Sequence, residues 1–580
     1  MAAIESDSTL GPARLWFSDE KDVDIFVERL EKFESGGVSS DDWRTFRLLN
    51  GVYGQRQDEV HMIRAKVPGG VMGPRQIEAL AEVAERFGGG KGHFTTRQNV
   101  QYHFVPLANV EEALRILANG GITTREACGP SVRNWTCCPL AGVSHEEPFD
   151  VTPYLEALVR HFLRGKYSAS LPRKFKPSVG GCCGTDCSQA FINDLGFLAR
   201  KRGDQIGFQM IAGGGLGTLR RSAITVEEFI PVDEILEAGE AVLRVFDDIG
   251  NRSNKNKARL KWAIDKVGKD KFLELYRAKR DVIRAEGGRP LEVEPAPAPR
   301  VKIGLPQQVE ARPDFAEWAA DSVRPQKQKG FSVVTIRLVL GDITADQLRT
   351  VSRLAIEYGE GEVRSTNDQN ILLRWIPTWK VPLLHAELVE AGLAKPGVGT
   401  VVDITSCPGA SSCKLAVTAS RGLASLLTEH LEQHPEVAAK APDLQIKISG
   451  CPNSCGQHHI AGIGFQGGMR KIDGRPVPQY LLHLGGGILE NHARFAKLTA
   501  RIPARRVPEA LDRLIALYAE QKTEGEKAND FFARVDGASV KAALGDIGEL
   551  DAGHATPDDF IDLGETKAFE LVQMEGECAA

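Results

Sequence analysis

Two tight cysteine pairs, Cys407-Pro-Gly-Ala-Ser-Ser-Cys413 and Cys451-Pro-Asn-Ser-Cys455, concentrate the strongest chemistry in this chain. Five residues lie inside the first pair, three inside the second and 37 between them. Four thiolates on so short a scaffold suit a metal ion or a [4Fe–4S] cluster. Zinc sites usually space their cysteine pairs by two to four residues, which the first pair exceeds. The loops are rich in Gly, Pro and Ser and offer backbone N–H groups to inorganic sulfide. The composition therefore favours the cluster, with zinc as the alternative.

A second set of residues is cationic. Arg97 lies in Thr95-Thr-Arg-Gln-Asn, Arg133 in Ser131-Val-Arg-Asn, and Lys174 and Lys176 in Leu171-Pro-Arg-Lys-Phe-Lys. In an extended Lys-Phe-Lys both ammonium groups fall on one face and the ring on the other. Two adjacent like charges repel, so they either hold an anion or form a solvated strand.

The chain that positions these groups is 580 residues long, 42% hydrophobic and 26% charged, with a net charge of −5. These values describe an ordinary globular protein with no general attraction to nucleic acid. The first residues lack a basic region and an apolar core, and no apolar run approaches the roughly 20 residues of a membrane span. A cytoplasmic protein is expected. There, eleven cysteines read as metal or catalytic sites rather than a disulfide framework, with Cys578 as an incidental thiol.

The chain also repeats itself. His61-Met-Ile-Arg64 answers Val334-Thr-Ile-Arg337, and Thr96-Arg-Gln-Asn-Val100 answers Asn367-Asp-Gln-Asn-Ile371. Cys187 to Phe197 aligns without gaps on Cys455 to Phe465, and the spacing stays between 268 and 273 residues. Ordered matches at one spacing imply duplication. A Pro-rich connector, Gly287 to Pro313, separates the halves, Lys255 to Arg280 reads as a basic helix, and the acidic stretch after 545 reads as a surface tail. The expected organisation is an arm (1–50), a strand–helix–strand half (51–125), a cysteine-bearing domain (126–285) and a linker (286–325). A second strand–helix–strand half (326–400), a second cysteine-bearing domain (401–545) and the tail (546–580) complete it. The fold class is α+β with mixed sheets and pseudo-twofold symmetry, the cofactor lying near the axis.

Taken together, the two cysteine pairs, Thr-Thr-Arg-Gln, Arg-Asn and Leu-Pro-Arg-Lys-Phe-Lys resemble the sirohaem-dependent sulfite/nitrite reductase family from about Val52 to Lys541. The resemblance implies ferredoxin-like halves at 51–125 and 326–400, a first cofactor-binding domain at 126–285 and an iron–sulfur and sirohaem domain at 401–545. It implies a [4Fe–4S] cluster on Cys407, Cys413, Cys451 and Cys455, with Cys455 bridging to sirohaem. It implies Arg64, Gln98, Arg259 and Lys261 as further cofactor-binding residues. Arg97, Arg133, Lys174 and Lys176 would cage the substrate anion. The implied reaction is six-electron reduction of sulfite to sulfide, or of nitrite to ammonia. Plant-type nitrite reductases usually carry asparagine where Lys176 stands, and the extra cation suits doubly charged sulfite. Pro139-Leu-Ala-Gly142 resembles nitrite reductases and some ferredoxin-linked sulfite reductases. No flavin or nicotinamide module is evident, because the Gly213-Gly-Gly-Leu-Gly217 spacing is wrong for one. Electrons are expected from a ferredoxin, or otherwise from a flavoprotein subunit.

The first half keeps unexpected sulfur. Cys138, Cys183 and Cys187 fall opposite Cys407, Cys451 and Cys455, while Ser144 stands near the place of Cys413. They are either remnants of duplication or a second metal site completed by Cys128, Cys137 or Cys182. His458 and His459 are expected to pack beside the cofactor rather than to ligate. An iron–sulfur electron carrier or a zinc-stabilised binding protein are the competing classes.

Overall fold

The computed structural model describes residues 15–181, 186–294, 299, 301–551, 553–572, 574 and 576–577. Among these, four five-stranded sheets form two matching pairs. In the first antiparallel sheet the order is Val52–Gly54, Val60–Ala65, Val100–Pro106, Lys91–Phe94, Asp342–Thr344. Its counterpart runs Val323–Pro325, Phe331–Ile336, Ile371–Pro377, Val363–Ser365, Val71–Met72. Each sheet thus takes its fifth strand from the other half, with Ile343 opposite Gly92 and Met72 opposite Val363. The halves cannot separate without breaking a ladder in both sheets.

Helices Pro74–Arg86 and Ala345–Tyr358 pack together across this junction. Their apolar residues recur at helical spacing (Ile77, Leu80, Ala84; Leu348, Val351, Ala355) and enter one shared core. The expected N-terminal arm contributes two helices, Glu20–Glu34 and Ser40–Leu49, whose Phe26, Leu30 and Trp43 join that core.

The other two sheets are mixed. One runs Ile224–Pro231, Gln205–Ala212, Leu195–Arg202, Pro177–Gly180, Thr136–Cys137, and the other runs Thr405–Ser406, Ile446–Ser449, Ile463–Ile472, Arg475–Leu484, Lys497–Pro503. In each, the three strands nearest the cysteines are parallel and the rest antiparallel.

Four glutamines staple the halves. Gln98 Nε2 donates to Ser365 O (2.8 Å) and Gln369 Nε2 to Phe94 O (2.8 Å), a symmetric exchange. Gln189 and Gln457 bond each other in both directions. All four have left-handed backbones, with φ between 56° and 68°. Such a conformation costs about 1–3 kcal/mol per non-glycine residue, so these bonds must more than offset it.

Two expectations change. The basic stretch is not one helix: a short turn precedes Leu260–Val267, and Gly268, at φ 86°, starts a separate helix Lys269–Ala285. The acidic C-terminal segment is not a surface tail. Phe560 and Leu563 are buried, and buried Glu577 pairs with Arg47 and accepts from Gly54 N.

Candidate active site

The cysteine pairs meet because of strand topology. Cys407 directly follows Thr405–Ser406, and Cys451 lies two residues beyond Ile446–Ser449. These strands are parallel neighbours with Ser406 opposite Ile448, so both loops leave the same edge of the sheet. Cys407 N donates to Ile448 O (3.3 Å), and Gly450 N points at Cys407 Sγ (3.4 Å). Gly456 must be glycine, since a Cβ there would lie 1.9 Å from Ile448 O. From the first half, Thr96 Oγ1 donates to Cys455 O (2.9 Å) and fixes that loop from across the pseudo-axis.

The cationic wall comes from the first half. Arg133 N donates to Phe175 O (2.8 Å) and Phe175 N to Ser131 O (2.9 Å), which sets Arg133 beside the Lys-Phe-Lys segment. Phe175 is fully buried, whereas Lys174 and Lys176 face a cavity on the other side, as strand alternation requires. Arg97 is aimed by Asn193 Oδ1 (2.5 Å), Asn134 O (2.6 Å) and Pro177 O (3.1 Å). Arg133 donates to Gly129 O (2.8 Å) and Ala127 O (3.1 Å). Arg64 reaches Ala127 O (3.1 Å), and the Gln101 amide oxygen accepts from it at 2.7 Å.

Both walls line one cavity holding about 1490 Å³ of space between atoms, its mouth included. Cys407, Cys413, Cys451 and Cys455 line it from the second half; Arg64, Arg97, Arg133, Lys174 and Lys176 line it from the first. No aspartate or glutamate is among the described residues that line it. Burial pushes the Lys176 ammonium well below its ordinary value, and Arg259, Arg97 and Lys174 add to this while Cys455 opposes it. Burial likewise lowers Arg97, to about 9, against the opposing charge of Asp194. On the sulfur wall, burial raises the Cys451 thiol, and Cys455, Cys407 and Cys413 raise it further. Each wall holds like groups whose charges repel until a partner of opposite charge sits between them.

Three expected cofactor residues lie off the cavity wall. Gln98 is spent on Cys137, donating to its O (3.0 Å) and accepting from its N (2.8 Å), and on Ser365. Arg259 is paired with buried Asp194 (2.5 Å), and Lys261 donates to the carbonyls of Leu216 and Leu219. Asp194 also accepts from Lys176 N (2.8 Å), so one carboxylate organises two cationic segments.

Asn193, Asp194, Thr96 and Gln101 escaped the sequence reading. For the first two a signal existed: the aligned repeat has the small, uncharged Ala461-Gly462 there. Cys128 Sγ accepts from Arg64 Nη1 (3.1 Å), and burial pushes the Cys137 thiol up to about 12. Cys182, Cys183 and Cys578 lie outside the described residues. His458 and His459 are buried against His483, and neither lines the cavity.

The sequence pattern of the nitrite and sulphite reductase 4Fe-4S domain matches residues 128–282 and 397–547. That of the nitrite/sulfite reductase ferredoxin-like half domain matches 53–120 and 324–391. The chain belongs to the nitrite and sulfite reductase family. It is 31% identical over 465 residues to a ferredoxin–nitrite reductase of Synechococcus elongatus, covering 78% of this chain and 85% of that one. It is also 31% identical over 484 residues to a ferredoxin sulfite reductase of Mycobacterium tuberculosis, covering 82% of each. The solved structure of Mycobacterium tuberculosis NirA protein superposes with a TM-score of 0.75 at 27% identity, covering 90% of this chain and 95% of that one. Two ferredoxin-like halves and two 4Fe-4S-type domains therefore make up an oxidoreductase fold, duplicated as the internal repeat implied.

Proposed function

We propose that this protein is a cytoplasmic, ferredoxin-dependent sulfite reductase that carries out the six-electron reduction of sulfite to sulfide. The observation that carries this is one cavity with four cysteines facing five cationic side chains and no lining carboxylate. An electron carrier has no use for such an anion chamber, and a zinc-stabilised binding module has no use for its pairing with thiols.

The donor set fits a [4Fe–4S] cluster, which Cys407, Cys413, Cys451 and Cys455 would hold, with the sirohaem beside it in the same cavity. Those groups, when bound, supply the electrons one at a time. Arg64 suits a carboxylate of the macrocycle, because a planar guanidinium binds carboxylate through two N–H groups. Arg97, Arg133, Lys174 and Lys176 hold the substrate anion. Their carbonyl and amide supports aim Arg97 and Arg133 in advance, so little reorganisation accompanies binding. Burial makes the Lys176 ammonium a stronger acid than a free lysine, so it is the group best suited to give a proton to the departing oxygens.

Nitrite to ammonia is the second reading, on the same scaffold. Its sequence argument, Pro139-Leu-Ala-Gly142, is weakened by the location of that segment. Ala141 O accepts from Arg374 Nη1 (2.5 Å) and Arg364 Nη1 (3.3 Å), so the motif ties the halves together rather than lining the cavity. An absorption spectrum of cofactor-replete protein tests the class: Soret and red bands are expected, and a colourless protein overturns it. Turnover of sulfite and nitrite with reduced ferredoxin, and with a flavoprotein donor as control, then tests substrate and partner.

A further inference from the structure

The first half holds its own pair of touching sulfurs. Cys138 Sγ and Cys187 Sγ are 2.8 Å apart. Cys138 follows the strand Thr136–Cys137 as Cys407 follows Thr405–Ser406, and Cys187 holds the position of Cys455. The supports are duplicated as well. Asn367 Nδ2 donates to Cys187 O (2.9 Å), just as Thr96 donates to Cys455 O. The use has diverged, however. Ser144 replaces the counterpart of Cys413, and Cys183, opposite Cys451, lies outside the described residues, so among the described residues Cys138 and Cys187 are the members of the set that touch.

The two thiols differ in access. Cys138 is fully buried and Cys187 is partly exposed. The loop of Cys187 continues through Ser188 to Gln189, which is bonded to Gln457, two residues beyond Cys455.

We propose that Cys138 and Cys187 are a redox-active dithiol that closes to a disulfide when a small-molecule disulfide is the oxidant. The Cys187 thiolate attacks the oxidant, forming a mixed disulfide and releasing one small thiol. The Cys138 thiolate then attacks the Cys187 sulfur and expels the second. Two protein thiols lose two protons and two electrons, and one oxidant molecule becomes two thiols. Closure ties the end of the strand Thr136–Cys137 to the loop whose Gln189 braces the opposite, cluster-type loop. This site stands whether or not sulfite is the substrate.

Holoprotein treated with oxidised glutathione, alkylated and mapped without reduction tests the site. In the wild type a peptide linking Cys138 to Cys187 is expected, with loss of alkylation at both. Cys138→Ser should instead accumulate a glutathione adduct on Cys187, because the resolving thiol is gone. Cys187→Ser should leave Cys138 unmodified, because no oxidant reaches it. A wild-type protein in which Cys187 remains alkylatable overturns the proposal. So does protection of both cysteines without a linked peptide, accompanied by one zinc per chain, which would make the pair a metal site. The wild-type result decides the matter even where a variant fails to fold.

Discussion

Replacing Lys176 by asparagine keeps a polar side chain in the cavity and removes one positive charge from the anion cage. Fully ionised sulfite carries one more negative charge than nitrite, so the variant penalises sulfite by one extra charge–charge interaction. At about 4 Å and an effective dielectric constant of about 20 that interaction is worth about 4 kcal/mol. This is a ceiling, since Arg97 and Lys174 share the anion and burial already disfavours the Lys176 ammonium. The sulfite-to-nitrite ratio of kcat/KM should therefore fall by between about tenfold and about a thousandfold, at about 1.4 kcal/mol per decade. The assay is steady-state turnover of both anions with one chemical reductant, on protein whose visible spectrum matches the wild type. The same reasoning sets a pH dependence. The charged form of Lys176 is present below its depressed pKa, so wild-type kcat/KM for sulfite should decline as pH rises through that value. The decline should flatten in Lys176→Asn. A ratio unchanged within about twofold, with the spectrum intact, would refute the assignment of Lys176 as the discriminating cation.

Other consequences follow from burial and pairing. Glu577→Ala leaves Arg47, only 7% exposed, as an uncompensated buried charge, so a loss of about 3–5 kcal/mol is expected in thermal or urea unfolding. Phe175→Ala should cost about 3–5 kcal/mol and also raise the sulfite KM, because the ring anchors the strand that presents both lysines. His103 and His61 are pushed down by burial to about 3 and about 4. The unfolded chain therefore binds more protons, and stability is complete above about 6.5 and falls as pH drops toward those values, by up to about 1.4 kcal/mol per unit per histidine. Melting temperatures between pH 7.5 and 5 check this; a flat profile would show that neither ring is neutral in the folded state.

The parts legible in the sequence were those with local rules. Cysteine spacing, alternation in Lys-Phe-Lys and the ordered repeat each constrain neighbouring atoms directly, and the structure gathers those thiols and cations around one cavity. The partners of Arg259 and Lys261 were not legible because a cation in sequence says nothing of them: a carboxylate 65 residues away takes one and backbone carbonyls take the other. The direction of Gln98 was hidden for a related reason. Its left-handed backbone turns the amide toward Cys137 and Ser365 rather than the cavity. The exchanged strands were illegible because two or three residues, such as Val71–Met72, carry no periodicity to read. The break at Gly268 left only a single glycine inside an otherwise helical pattern.

The duplication explains how one cavity comes to gather both the thiols and the cations. Both halves build the same frame: parallel strands ending in cysteine-bearing loops, each loop capped by a polar side chain from the other half. The frame alone is symmetric and selects no ligand. Selection arises where the halves diverge. Arg97, at the cationic wall, is answered by Asp368, whose carboxylate is neutralised by Lys447 at 2.6 Å. Asn193 and Asp194, which aim the cations, are answered by Ala461 and Gly462. Cys413 is answered by Ser144. Each divergence moves charge or sulfur toward one cavity, so its residues depend on one another. In the proposed holoprotein the cysteines would supply a negative wall once a metal deprotonates them, and that wall would stabilise cations which otherwise repel. Loss of any one cysteine should therefore weaken anion binding at Lys174 and Lys176 even where the fold survives.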